Sequence, residues 1–407
     1  MPAVVDPPPT GDAISAHSLT LATRGGGVPL GFVRSGNRIY LVARQRAAQW
    51  PLEVLRSGIA QLRLPEGTLS GHARLVTDPQ ERTEVLGRFR AKYGPEGFER
   101  WYASPARVLQ VELGTSAPRE AGDTVQYYDW LEAEFNSIAG EYDRHILGNR
   151  INRLLRDRSL AWLRPHFASS RFLLDIGCGS GMETLPLLRS GHEILAVDIS
   201  EQMLEVVRAK ARAEGLQERL HTQRLAARDL GALVAGWGEG SVDGAYSTYG
   251  ALNCEPDLAP VASALARLLP GGASFVAGVY NRWCLFEMLG YGLSGRPGRA
   301  RARWTNPVLV GTSRFCVDVY AYSVPSFRRI FDAAFVAIRT EGVAVVLPPS
   351  DLAIYAEKLS HHFGRLANLD RAIGGRWPGN LFGDHFLLTL ERRADGGSGA
   401  KSPPSLG

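Results

Sequence analysis

The chain has 407 residues, 45% of them hydrophobic and 21% charged, which is enough apolar material for two ordinary globular domains and too much for a disordered polymer. Its net charge of +5 is spread too thinly to form a nucleic-acid footprint, so no nucleic-acid partner is expected. Neither a basic leader followed by an apolar core nor a run of about 18 apolar residues occurs, so the expected location is cytoplasmic.

Residues 1–12, with Pro2, Pro7, Pro8 and Pro9, and the Gly/Ser/Pro-rich tail 394–407 are expected to be disordered. Residues 13–115 read as a small domain of short alternating strands at Ser18–Ala22, Pro29–Arg34, Arg38–Ala43, Ile59–Leu64 and Thr68–Val76, a helix from Pro79 to Tyr93, and a closing strand at Ala106–Leu113. Turn residues such as Ser35-Gly36-Asn37 and Pro65-Glu66-Gly67 separate them, a pattern that predicts a small β-barrel. Through Thr23-Arg24, Gly36-Asn37 and Trp50-Pro51 this segment resembles the split β-barrel flavin or deazaflavin reductase family. That resemblance implies cofactor phosphates held near Arg24, Arg44 and Arg46, with FMN or a deazaflavin as the cofactor. The phosphate turn is contracted here to Arg24-Gly25-Gly26-Gly27. A degenerate barrel used for packing, homodimerisation or substrate presentation is therefore favoured over a working reductase.

Residues 121–393 differ in kind. Arg171-Phe172-Leu173-Leu174-Asp175 predicts a strand, Ile176 to Gly181 a glycine turn, and Met182 to Leu188 a helix. A second strand, His192 to Asp198, also ends in a carboxylate, about 20 residues beyond the turn, where it can accept both ribose hydroxyls of an adenosine. Two details argue against a dinucleotide. The third fingerprint glycine is replaced by Met182, and Asp175 would lie awkwardly against a pyrophosphate yet suits a ligand bearing a sulfonium and an ammonium.

The motif Leu174-Asp175-Ile176-Gly177-Cys178-Gly179-Ser180-Gly181 resembles the first motif of the class I S-adenosylmethionine-dependent methyltransferases. The likeness continues through Asp198-Ile199-Ser200-Glu201-Gln202-Met203-Leu204, a fourth strand at Ser241–Tyr246 and the turn Ala266–Gly272, and upstream at Phe135–Asp143. It implies a Rossmann-like seven-stranded α/β sheet. It also implies S-adenosylmethionine held by Asp175, Gly177, Cys178, Gly179, Gly181, Asp198, Ile199, Met203, Ala226, Ala227 and Ser247, with Tyr142 and Tyr127 capping the cofactor. Many relatives have an acid that bonds the adenine amino group where this chain has Ala226. Adenine would then be held by backbone N–H and apolar packing.

A sulfonium donor is already activated, so the protein has to align the acceptor, exclude water and in some cases remove a proton. The loop Ser247 to Cys254 lacks the Asn/Asp-Pro-Pro-aromatic signature of amide and nucleobase methylation, which leaves O-methylation slightly favoured. His385, at the start of the last strand, is the candidate base because histidine titrates near neutrality. Tyr249 and Asn253 are candidates to orient the acceptor oxygen. Cys178, Cys254, Cys284 and Cys316 lack paired spacing, and the adjacent His361 and His362 point apart on a helix, so no metal is expected.

Insertions at Asn281–Pro307 and Ser350–Ile373 are expected to cover the substrate pocket. The first is apolar at Trp283, Leu285, Phe286, Met288, Leu289 and Tyr291, then arginine-rich at Arg296, Arg299, Arg301 and Arg303, with Arg314 beyond it. That composition points to a hydrophobic or acidic small-molecule acceptor, with membrane-surface contact disfavoured. The competing readings are a regulatory or scaffold protein that binds S-adenosylmethionine without turnover, and a bifunctional reductase-methyltransferase.

Overall fold

The computed structural model describes residues 18–23, 26–43, 50–57, 59–64, 67–102, 105, 107–113, 124–304, 307–308, 317–352, 356 and 360–394. The expectations for Arg24, Arg44, Arg46, Arg314, Cys316 and the two termini lie outside these residues. The chain divides into two compact units, residues 1–134 with 311–316, and residues 135–310 with 317–407.

In the first unit, β1 (Ser18–Thr23), β2 (Gly26–Ser35), β3 (Arg38–Ala43), β4 (Ile59–Leu64), β5 (Gly67–Leu75) and β6 (Arg107–Leu113) form a closed antiparallel barrel in the order β1-β2-β3-β6-β5-β4. Strand alternation explains its filling: Ile39, Leu41 and Ala43 point inward with Leu21, Leu62 and Val111, while Tyr40 and Val42 turn outward onto Val85, Phe89 and Phe98. These last three lie on helix Pro79–Trp101, whose first turn is capped by Asp78 accepting from the N–H groups of Gln80 and Glu81. The sequence pattern ends that helix at Tyr93. Instead the chain kinks at Gly94, with φ at 71°, and resumes helically through Trp101. Glycine tolerates this left-handed kink without ending the element.

The second unit is a seven-stranded sheet in the order β12-β13-β11-β10-β7-β8-β9. Its strands are β7 (Phe172–Ile176), β8 (Glu193–Asp198), β9 (Leu220–Arg224), β10 (Gly244–Ser247), β11 (Ser274–Tyr280), β12 (Phe335–Val343) and β13 (His385–Arg392). β7 to β11 run parallel, whereas β13 pairs antiparallel with both β11 and β12. Both faces are covered. Leu174, Ile176, Val197 and Phe275 pack one side and Leu173, Ile194, Ala196 and Val276 the other, which is why these strands read as continuous apolar runs. β10 starts at Gly244 rather than Ser241, because the Asp243 carboxylate is turned back to accept the N–H groups of Arg171 and Phe172 at 2.7 and 2.8 Å.

The parallel strands raise their carboxyl ends along one edge, and the neighbours of β7 there are β10 and β8, so a crevice opens at this switch in strand order. Among the described residues no helix is long and apolar enough to cross a membrane.

Candidate active site

The turn after β7 is dictated by backbone geometry. Gly177 and Gly181 have φ of 71° and 81°, and a Cβ at either would lie 2.5 Å from Ala251 Cβ or 2.3 Å from Val207 Cγ2. Side chains are excluded there on both counts. At Gly179 an added Cβ would meet only the Tyr142 ring, at 3.8 Å, so that glycine faces a slot closed by an aromatic ring.

Tyr142 lies in a segment strapped over the turn. Asn136 accepts from the Ser200 hydroxyl at 2.7 Å and from the Gln202 N–H at 3.2 Å. Asp143 accepts from Ser180 and Lys210, and Lys210 also donates to the Ser180 carbonyl at 2.8 Å. The segment Phe135–Asp143 thus lies over the glycine turn, as three short pieces (the end of helix Thr124–Ile138, a 3-10 turn at Ala139–Glu141 and helix Tyr142–Leu147) rather than one helix. Tyr127 belongs to the other unit, where it pairs edge-on with Tyr128.

Two carboxylates tip adjacent strands. Asp198 accepts from the N–H groups of Gly179 and Ser200 at 2.8 and 2.9 Å, and burial pushes its carboxyl up to about 6. Asp175 accepts from Thr184 at 2.6 Å and Tyr246 at 2.9 Å through one oxygen, and burial pushes it up to about 7. A cation brought to either carboxyl would favour its ionised form.

The remaining residues expected around the cofactor are distributed unevenly. Met203 is buried, its N–H capped by the Ser200 hydroxyl, and Ile199 is half-buried beside it. Ala226 and Ala227 are half-buried at the 3-10 turn beyond β9, and no described acceptor takes either backbone N–H. The Ser247 hydroxyl is turned inward to the Ile176 carbonyl at 2.8 Å, where it ties β10 to β7. Cys178 is buried, which raises its thiol well above the ordinary value.

On the β11–β13 side, His385 and Tyr249 come together. Their rings stack with centroids 5.9 Å apart, and Tyr280 meets His385 edge-on at 5.4 Å. Tyr249 holds a left-handed backbone, with φ at 57°, costly for a bulky residue and a feature that concentrates at functional sites. Gly278 makes it possible, because a Cβ there would crowd the Tyr249 nitrogen at 3.3 Å. Asn253, expected to orient the acceptor, instead gives its amide hydrogens to the carbonyls of Tyr280 and Tyr320 at 3.2 and 2.6 Å and accepts from the Tyr280 N–H at 2.8 Å. A fully engaged amide braces the loop and has no donor left for a substrate.

Sequence reasoning missed Arg156 and Glu183. Arg156 is half-buried, donates to Glu183 and to the Tyr142 hydroxyl at 3.3 Å, and lies 4.0 Å from the centre of the Tyr249 ring. Its Nε and the Glu183 Oε1 are buried without hydrogen-bond partners. Nothing local marked Arg156, one of several arginines on helix Arg150–His166.

Arg303 requires a correction. It was expected in an exposed basic margin, yet it is buried with all five donors engaged. They reach both Glu287 oxygens at 2.8 and 2.6 Å, Asp384 at 2.7 Å and the carbonyls of Asn281 and Asp384 at 3.0 Å. Asp384 also accepts the Ser350 N–H at 3.1 Å and lies 3.3 Å from His385 Nδ1. Burial alone would raise the Asp384 carboxyl, but Arg303 and His385 outweigh it and hold the group well below the carboxylate range. Next to this cluster, Arg282, Trp283, Met288, Trp304 and Phe382 line an apolar pocket on the same sheet edge. His361 and His362 are exposed on a 3-10 turn, and no metal-binding cluster exists among the described residues.

Residues 173–272 match a family described as a methyltransferase domain. A segment of 95 residues is 30% identical to a demethylmenaquinone methyltransferase of Porphyromonas gingivalis, covering 22% of this chain and 38% of that protein. Another, of 106 residues, is 27% identical to a tRNA 5-carboxymethoxyuridine methyltransferase of Escherichia coli, covering 24% and 40%. The chain thus spans about two fifths of the length of these relatives. A solved Burkholderia thailandensis 1,6-didemethyltoxoflavin-N1-methyltransferase is similar at 17% identity and a TM-score of 0.41, covering 70% of this chain and 94% of its own. The matched residues form β7 to β10 and the glycine turn of the seven-stranded sheet, so the second unit contains a methyltransferase domain with the class I methyltransferase fold.

Proposed function

We propose that the protein transfers a methyl group from S-adenosylmethionine to a small, largely apolar acceptor, with oxygen the favoured target atom. The observation that carries this is the slot between Gly179 and Tyr142, flanked by Asp198 and Asp175 at the tips of adjacent strands. When bound, the donor supplies an electrophilic methyl on a sulfonium. Asp198 has lone pairs left for two ribose hydroxyls, and the backbone N–H groups of Ala226 and Ala227 suit an adenine edge. The unused Arg156 Nε and Glu183 Oε1 have the charges for an α-carboxylate and an α-ammonium.

The acceptor would lie toward His385 and Tyr249, with the pocket of Trp283, Met288, Trp304 and Phe382 taking its apolar part. In this reading His385 accepts the acceptor's proton, with the Asp384 carboxylate 3.3 Å from its Nδ1 to stabilise the imidazolium that forms. His385→Ala should lower kcat by about 10²- to 10⁴-fold while leaving donor affinity within about two-fold, as read by single-turnover kinetics and calorimetry; an unchanged kcat removes His385 from the chemistry. The overall test is release of S-adenosylhomocysteine with a panel of phenolic, quinone and carboxylic acceptors, set beside Asp198→Ala. The tRNA-modifying relative makes RNA the competing acceptor class, so unmodified tRNA and rRNA belong in the panel. Donor binding with no turnover on any of these would favour a regulatory role.

Binding should depend on pH in a defined sense. Carboxyls raised to about 7 and about 6 stabilise the free fold fully below the unfolded value near 4, and that contribution is lost as pH rises through 6 to 7. A cationic donor requires the ionised forms. Its affinity should therefore fall from pH 8 to pH 5.5, by roughly 30-fold for a group near 7, while the demethylated product, lacking the sulfonium, should show a shallower slope. Equal slopes would disconnect Asp175 from the sulfonium.

For the N-terminal barrel we infer a packing or dimerisation role. Its interior is filled by Leu21, Ile39, Leu41, Leu62, Leu109 and Val111, all fully buried. Saturable FMN or deazaflavin binding by the purified chain, read from absorbance, would overturn this.

A further inference from the structure

The helix Leu285–Leu293 has no buried residue, which is unusual for a segment this apolar. Leu293 is 89% exposed, Leu289 55% and Trp304 48%. Leu289 and Leu293, four residues apart, share one side of the helix. Around them stand Arg296, Arg299 and Arg301, all exposed. Arg299 lies 5.9 Å from the centre of the Tyr291 ring and Arg301 5.8 Å from that of Trp304. No Asp or Glu occurs from Met288 to Val317, and the nearest acid, Glu287, is occupied by buried Arg303. The patch therefore combines aliphatic side chains, aromatic rings and three cations that pair with no carboxylate among the described residues.

We propose that this patch docks the protein on an anionic phospholipid surface. Leucines buried at the headgroup boundary, an interfacial Trp and Tyr, and flanking arginines are what such a surface recognises. An acidic protein or RNA would match the charge but leave Leu289 and Leu293 in water. The same segment lines the apolar pocket through Met288 and Trp304, so a lipophilic acceptor can pass from the bilayer to the pocket without crossing water. This last step rests on the methyl-transfer reading; the docking itself does not.

The test is flotation of the full-length protein with vesicles of phosphatidylcholine alone and with about 30 mol% phosphatidylglycerol, at low and high salt. Binding should require the anionic lipid and fall with salt. The combined Arg296→Gln, Arg299→Gln and Arg301→Gln variant should bind on the order of a hundred-fold more weakly, at about five-fold per arginine. Leu289→Gln with Leu293→Gln should weaken binding independently, and these surface changes should leave donor affinity by calorimetry unaltered. Absence of vesicle binding, equal binding to neutral vesicles, or a leucine variant that changes only the oligomeric state overturns the docking. Vesicle binding by a protein that takes up neither donor nor demethylated product would instead sink the methyl-transfer reading and leave the docking standing.

Discussion

Asp198→Ala is expected to weaken S-adenosylmethionine binding by two to three orders of magnitude in calorimetry. Two causes add. In the proposed site this carboxylate meets the ribose hydroxyls, and charge-assisted hydrogen bonds contribute about 1.5–3 kcal/mol each. It also accepts the Gly179 N–H at 2.8 Å and the Ser200 N–H at 2.9 Å. Its loss therefore removes the side-chain tie between the glycine turn and the tip of β8, leaving the N–H groups of Gly177 and Cys178 on the Val197 carbonyl. Asp198→Asn retains a carbonyl acceptor but not the charge, so it should fall between the two. Unaltered affinity in Asp198→Ala would mean that the donor, if it binds, binds elsewhere.

Arg303→Met should destabilise the second unit by about 3–5 kcal/mol, the usual cost of removing one partner from a buried ion cluster. Asp384, fully buried, and Glu287, half-buried, would lose the cation they share. The thermal midpoint should drop on the order of 10 °C. Arg303→Lys should recover only part of this, since an ammonium cannot satisfy two carboxylates and two carbonyls with one planar fork. The pH dependence carries a sign. In the native chain Asp384 is depressed, so its contribution is present above the ordinary carboxylate pKa and lost only as pH falls through the lower folded value. Without Arg303, burial would favour the protonated acid. The stability gap between variant and native chain should accordingly narrow from pH 7 toward pH 4. A constant gap, or none, would mean that the cluster does not hold the inserted segment to β13.

The barrel strands were legible because each alternates over six to ten residues between glycine or asparagine turns. Helix Pro79–Trp101 was read short, since Gly94-Pro95 normally ends a helix and only packing of Phe98 beneath β3 continues it. Asn253 and Arg303 mark the limit more sharply. An asparagine in a substrate loop and an arginine in a basic insertion each have an ordinary functional meaning by composition. What they do here depends on carbonyls and carboxylates supplied by residues 16 to 81 positions away.

Sequence alone determined the proposed donor end of the site: β7, the glycine turn and β8 are contiguous from Phe172 to Asp198, and their demands on φ and on strand-tip acids are written in local residue types. Only the tertiary structure decided the acceptor end. There Arg156, Tyr249, Tyr280, Arg303 and His385 meet from five separate elements, and which of them stack, pair or stay exposed follows from long-range packing and desolvation that no local pattern encodes.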